Sequence, residues 1–271
     1  MNCLRNTIAC IPIMTGEIMP IDEKYGKYIK SIYLREKPPE SSYLSCLPVV
    51  KNLRKIKELR FTSNVTFLVG ENGTGKSTLL EAIAVSMGFN AEGGTRNFRF
   101  STADTHSELS EYLTVVKGVR PRDGFFLRAE SFYNVASYID RMDDEPSFGA
   151  PLIDSYGGVS LHEQSHGESF LALVKNRFGG DGIYLLDEPE AALSPSRQMT
   201  LMVLMKELIG KHSQFVIATH SPMFMAFPGA QVIELTDDDI RTIPYDQTEH
   251  FRLTRRFLNN PGKMLEMLLG E

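Results

Sequence analysis

The sequence predicts an α/β fold, a mostly parallel sheet flanked by helices. Three observations predict it. In the second half, apolar strand-like runs alternate with helical ones, the pattern of strands joined by helical crossovers. A glycine-rich stretch, GENGTGKST (70–78), links the apolar run VTFLV to a helical pattern. A second apolar run, IYLLDE (183–188), ends in two acids.

Residues 1–28 show little periodicity and read as an irregular N-terminal arm. SIYLRE (31–36) alternates like a strand, and KPPESS (37–42) reads as a loop. ELRF (58–61) and VTFLVG (65–70) read as a strand pair about a TSN turn. After GKS, Leu79, Leu80, Ile83, Ala84 and Met87 share one helical face, and Gly88 ends the helix. YLTVVKG (112–118) and FFLRA (125–129) are strand-like, with PRDG as the turn between them. SFYNVASYIDRM (131–142) looks helical, and 143–158 reads as a mobile loop. A helix over 166–178 stops at Gly179–Gly180. Another over 195–209 follows Ser194, with Pro195 first and Gly210 last. QFVIATH (214–220) and QVIEL (231–235) complete the strands, and NNPG (259–262) launches a short C-terminal helix. The expected organisation is one domain over 1–271, with a helical lobe near 130–178.

Composition narrows the function. The chain has 271 residues, 42% hydrophobic and 23% charged, with a net charge of −5. A surface of that sign does not suit sequence-independent nucleic-acid binding. Cys3, Cys10 and Cys46 are odd in number and form no C-x-x-C pair. That argues against a disulfide framework or zinc knuckle and for a reducing, cytoplasmic setting. No apolar run approaches the roughly 18 residues of a spanning helix.

GENGTGKST fits G-x-x-x-x-G-K-[ST] between a strand and a helix, the context that motif requires. Its glycines let backbone N–H groups from Gly70, Glu71, Asn72, Gly73, Thr74, Gly75, Lys76, Ser77 and Thr78 converge on phosphate oxygens. The helix N-terminus adds partial positive charge. Lys76 can reach the β- and γ-phosphates, and Ser77 can ligate Mg²⁺. Asp187 emerges at the C-terminal end of its strand, the edge where open α/β sheets bind ligands. It can hold Mg²⁺ through water, and Glu188 can polarise a water that attacks the γ-phosphate.

GENGTGKSTLL, SHGES, LLDEPEAALSP and IATHSP occur, over about residues 60–225, in the order and rough spacing of an ABC-type ATPase domain. The chain resembles the small stand-alone soluble ABC-type ATPases (P-loop NTPases, AAA/ABC-ATPase-like), leaning to repair and chromosome-maintenance cassettes over transporter subunits. The resemblance implies an N-terminal antiparallel β portion and a small helical lobe beside the main sheet. It implies Lys76 and Ser77 in the phosphate loop, Asp187 as the magnesium aspartate and Glu188 as the catalytic glutamate. It makes AALS (191–194) a dimer-contacting loop and His220 the switch that senses the γ-phosphate. QSHGES matches the signature motif with Ser165, Gly167 and Glu168 in place, but Gln164 and His166 depart from it. Ser165-x-x-Glu168 is also a helix capping box, and the two roles are compatible. The family's glutamine loop has no glutamine here. Glu130 is the candidate substitute and a candidate metal-side residue, with Arg128 beside it, and an ordinary helix-start glutamate is the alternative. Tyr33 is a candidate adenine contact by position, against a plain core or surface tyrosine.

The resemblance implies ATP and Mg²⁺ as ligands, ATP hydrolysis, an ATP-dependent homodimer and an effector protein that nothing in the chain names. Alternatives are a transporter's nucleotide-binding subunit or a DNA-associated repair-type ATPase. Only about thirty-five residues (130–164) separate the glutamine-loop region from the signature motif, and there are no heptads for a coiled coil. Arg96, Arg99, Lys117, Arg120, Arg122 and Arg128 make a basic stretch, but six acids in residues 90–130 offset it, as on a solvated mixed face. No N-K-x-D guanine motif is present.

Overall fold

The computed structural model describes residues 27–96, 107–128, 132–144 and 151–270. Glu130, Arg99, the three residues SFG at 147–149 and all but the last two residues of the expected arm lie outside them. The first strand is β1 (Ile29–Leu34), followed by α1 (Pro48–Leu53), β2 (Leu59–Arg60) and β3 (Val65–Val69). Then come α2 (Lys76–Ser86), α3 (Leu109–Tyr112), β4 (Leu113–Lys117), β5 (Asp123–Arg128) and α4 (Phe132–Asp144). The second half holds α5 (His166–Arg177), β6 (Gly182–Asp187), α6 (Pro195–Gly210), β7 (Gln214–Ala218) and α7 (Pro222–Met225). It ends with β8 (Gln231–Leu235), β9 (Ile240–Thr242), α8 (Glu249–Asn259) and α9 (Pro261–Leu269).

The main sheet has six strands in the order β5-β6-β7-β3-β8-β9. Every pair is parallel except β8–β9. A second, antiparallel sheet has the order β2-β1-β4. The expected pairing of 58–61 with 65–70 is therefore corrected. β2 pairs with β1, and β3 runs between β7 and β8. The four residues between them turn the chain from one sheet into the other. Gln231 holds that crossing, accepting from Thr62 N–H at 2.7 Å and donating to the Arg60 carbonyl at 2.9 Å.

The central strands are buried on both faces, which is why they read as continuous apolar runs rather than alternating ones. Leu68, Leu185, Val216 and Ile233 point into one core with α1, α2 and the small sheet. Phe67, Tyr184, Leu186, Phe215 and Ile217 point into the other with α4, α5 and α6. Gln214, fully buried, clips the two sheets together. Its side chain accepts from the Tyr28 and Ile29 N–H groups at 3.0 and 2.9 Å and donates to Ile29 O at 3.0 Å. The last two residues of the expected arm are therefore anchored. Residues 152–156, inside the expected mobile loop, form a 3-10 turn that buries Tyr156 completely. Gly210 is the last residue of α6, and Lys211 caps it.

Sheet order fixes where chemistry can occur. After β3 the chain crosses to the far edge strand β5, then returns through β6 and β7. β3 thus lies where successive connections diverge, the point at which open parallel sheets bind ligands beyond their C-terminal ends. The loops after β3, β6 and β7 end side by side there.

Candidate functional site

The phosphate loop occupies that edge, between β3 and α2. Two of its glycines are required by the fold. Gly75 starts α2 at φ +96°, and a Cβ there would run into Val49 of α1; Gly70 has φ +144°, and a Cβ would collide with the Leu235 carbonyl at the end of β8. Thr74 ties the loop to itself, its hydroxyl donating to Glu71 O at 2.9 Å. The Lys76 ammonium, 4% exposed, donates to the Gly70 and Glu71 carbonyls at 2.8 and 3.0 Å. Burial holds it below the ordinary lysine value, against the pull of Glu188 and Asp187.

Ser77 and Asp187 are 110 residues apart in sequence, yet Ser77 Oγ donates to Asp187 Oδ1 at 2.9 Å. The bond reaches across the end of β7 from α2 to β6. A hydroxyl and a carboxylate so close, beside a buried lysine, fit a Mg²⁺ ion carried by a polyphosphate. Among the described residues no cluster of three or more His, Cys, Asp or Glu could hold a metal alone.

Glu188 follows with φ +48° and ψ +52°, left-handed values rare outside glycine and asparagine. Its N–H bonds to the Ala218 carbonyl at 2.9 Å, which fixes the twist, and its carboxylate stays 42% exposed. Glu190 turns the other way, into the protein. Its Oε1 accepts the Thr219 hydroxyl at 2.8 Å and the His220 N–H. Burial pushes its carboxyl above the usual carboxylate range. His220 thereby presents its ring between β3 and β6, Nε2 lying 3.5 Å from Glu188 Oε1. Burial, then Lys76 and His250, hold the imidazole below the ordinary histidine value, so it is neutral near pH 7.

Lys76, Ser77, Asp187, Glu188 and His220 thus meet at one sheet edge. Ser165, Gly167 and Glu168 do not join them: among the described residues no hydrogen bond or ion pair links this stretch to the phosphate loop. It begins α5, where Ser165 and Glu168 form the expected capping box, Glu168 Oε2 accepting from Ser165 N–H at 3.2 Å and its hydroxyl at 2.6 Å. Arg197 of α6 braces it, 3.1 Å from Glu168. Gly167 packs so closely on Ala192 and Arg197 that a Cβ would not fit. The stretch thus packs directly against the AALS loop.

Arg128, expected beside Glu130 in the glutamine-loop region as well as in the basic stretch, lies in the site, 2.7 Å from Glu81 and 3.7 Å from Asp187. Other site residues escaped the sequence reading. Glu81, nearly buried in α2, also accepts the Ser107 N–H at 2.7 Å. Gln198 joins the AALS loop to the segment after His220, donating to Leu193 O at 3.1 Å and accepting from Ser221 at 2.6 Å. Glu190 and His250 were missed too. The acid at 190 had a signal, since it lies two residues beyond Glu188. The others come from distant segments with no motif. Tyr33 sits on the small sheet, opposite Thr114 in the β1–β4 register and 38% exposed.

Comparison with known proteins agrees with this geometry. Residues 49–132 match a family model described as an AAA domain, and 154–226 match one described as "AAA domain, putative AbiEii toxin, Type IV TA system". The chain is 27% identical over 247 residues to the ribose import ATP-binding protein RbsA of Yersinia pestis, an alignment covering 82% of this chain and 45% of that protein. It is 29% identical over 181 residues to the cytochrome c biogenesis ATP-binding export protein CcmA of Rhizobium meliloti, covering 62% of this chain and 83% of that one. This chain thus spans about half the length of the ribose import proteins it matches. The solved structure of cbiO1 from Clostridium perfringens, part of an ABC transporter complex, superposes with a TM-score of 0.50 at 14% identity, over 90% of this chain and 100% of that one. The named relatives are import and export ATP-binding proteins, so the leaning toward repair and chromosome-maintenance cassettes is corrected. Among the described residues no helix is long and apolar enough to cross a membrane.

Proposed function

We propose that this chain, which has the α/β fold of an ABC-type P-loop ATPase cassette, binds ATP with Mg²⁺ and hydrolyses it. The 2.9 Å bond between Ser77 and Asp187 carries the reading. It brings the two halves of a nucleotide site together beside Lys76, Glu188 and His220. In the proposed cycle Lys76 and the loop N–H groups hold the β- and γ-phosphates. Ser77 and Asp187 would hold Mg²⁺, which neutralises charge on the phosphate oxygens. Glu188 accepts a proton from the attacking water, and the neutral His220 donates Nε2–H toward the γ-phosphate. Catalysis is then mostly positioning and electrostatics.

Ser165, Gly167 and Glu168 lie apart from this site within one chain. That supports a dimer in which the signature stretch of one copy closes over the ATP of the other. Glu188→Gln should hydrolyse ATP about a hundredfold more slowly or worse and accumulate as an ATP-bound dimer. A variant that stays monomeric at saturating ATP and Mg²⁺, by light scattering, refutes the dimer.

What the cycle drives is a separate question. The relatives' names favour a transporter's nucleotide-binding subunit over a soluble effector's engine. Recovery of the tagged chain with an integral membrane protein would support the transporter reading. Recovery of the Glu188→Gln variant only with a soluble partner would favour the effector.

A further inference from the structure

The two ring nitrogens of His220 face different groups. Nε2 looks toward Glu188 at 3.5 Å, and Nδ1 lies 2.9 Å from His250 Nε2. The two rings sit with centroids 5.0 Å apart, tilted by 59°. His250 comes from α8, thirty residues further along. Its place there is fixed. Thr248, fully buried, caps α8 by accepting the Phe251 N–H at 3.3 Å, and its own hydroxyl donates to Tyr245 O at 2.7 Å. Tyr245 packs edge-on against Phe251 at 5.2 Å.

We propose that His250 is a positioning residue for the nucleotide site, whose hydrogen bond to His220 Nδ1 holds the His220 ring in the Nε2–H form. A neutral imidazole carries one proton, so one nitrogen donates and the other accepts. When His250 Nε2–H donates to Nδ1, the His220 proton must sit on Nε2, the nitrogen aimed at Glu188 and the phosphate site. The opposite arrangement would turn a lone pair toward a carboxylate and a phosphate, both of which repel it. His220 is the only described side chain bonded to His250, so α8 reaches the site through this contact. The inference rests on the ATPase reading for its consequence, though not for the bond.

The experiment has two arms on the full chain. Nitrogen-15 spectra of the histidines report the tautomer with no activity needed. Wild type should show His220 protonated at Nε2, and His250→Ala should move it to a mixture of the two forms. In the second arm His250→Ala should lower kcat about tenfold, the loss of one oriented hydrogen bond, with KM for ATP within about twofold. Gln places an amide N–H at the reach of the histidine Nε2, so His250→Gln should recover most of kcat. The same substitution should change little in a His220→Ala background. An Nδ1–H tautomer in wild type overturns the proposal. So does an undiminished kcat in His250→Ala, or an equal loss in both backgrounds. A wild type without ATPase activity but with the expected tautomers would defeat the ATPase reading and leave the His250–His220 bond standing.

Discussion

The two ends of the main sheet treat buried acids in opposite ways. At the N-terminal end Asp123, which opens β5, is fully satisfied. It accepts the Gly179 N–H at 2.9 Å, the Tyr184 hydroxyl at 2.8 Å and the Arg177 guanidinium at 3.0 Å. Burial alone would raise its pKa, but the Gly179 N–H and Arg177 outweigh it and bring the carboxyl below its ordinary value. At the C-terminal end Glu190 is raised by burial, and among the described residues its Oε2 has no hydrogen-bond partner. There too Glu188 holds a left-handed backbone and Lys76 is depressed. One end has its polar groups matched, as in stable cores. The other keeps an unpartnered carboxyl oxygen, a depressed lysine and a left-handed backbone, the pattern of functional sites.

That contrast can be broken by substitution. Lys76→Ala should cut ATP hydrolysis by about 10²–10³-fold while leaving the melting temperature nearly unchanged, as phosphate-release and thermal-shift assays would show. Asp123→Ala should do the reverse. It strands the mostly buried Arg177, so denaturant titration should lose about 3 kcal/mol with kcat intact. A fall in kcat as large as the loss of stability would show that the two ends are not separable. Gly75→Ala combines both effects, since φ +96° and the contact with Val49 should cost about 1–3 kcal/mol and also weaken ATP binding.

The smallest effect is also the most discriminating. Glu190→Gln keeps an acceptor for Thr219 and His220 and should change stability by under about 1 kcal/mol near neutrality. Its pH dependence should run opposite to that of Asp123. Asp123 binds its proton more weakly in the fold, so its contribution is complete above the ordinary 3.8 and is lost as pH falls through its lowered pKa. Glu190 binds its proton more tightly in the fold. Wild-type stability should therefore fall, relative to Glu190→Gln, as pH rises from the ordinary 4.5 through the raised value. Urea titrations of both variants between acid and neutral pH would show whether the two difference curves have opposite slopes.

Much of this was legible in the sequence. The phosphate loop, the IYLLDE strand and the helices after GKS, QSHGES and Ser194 are local patterns, because a glycine turn, a buried strand or a capping box is made by neighbouring residues. The pairing of β2 was not legible, since both candidate partners offered apolar residues and the deciding contact, Gln231 to residues 60 and 62, lies far along the chain. Arg128 was legible as a polar residue of the glutamine-loop region, but its place opposite Asp187 came only from the β5–β6 register. His250 lay in a helix the sequence reading did not find, in a polar stretch without a motif. Glu130 lies outside the described residues, so its part in the site remains a proposal, as does that of Tyr33.

The sequence by itself determined which residues could bind phosphate and activate water, since those abilities belong to the side chains and to the turns their neighbours impose. The tertiary structure alone decided which of them meet. Sheet order sets β7 between β3 and β6, so His220 emerges between Lys76 and Glu188, and the packing of α8 against the segment after β7 brings His250 onto its free nitrogen. Those meetings depend on strand order and helix packing across more than a hundred residues, which no local pattern encodes.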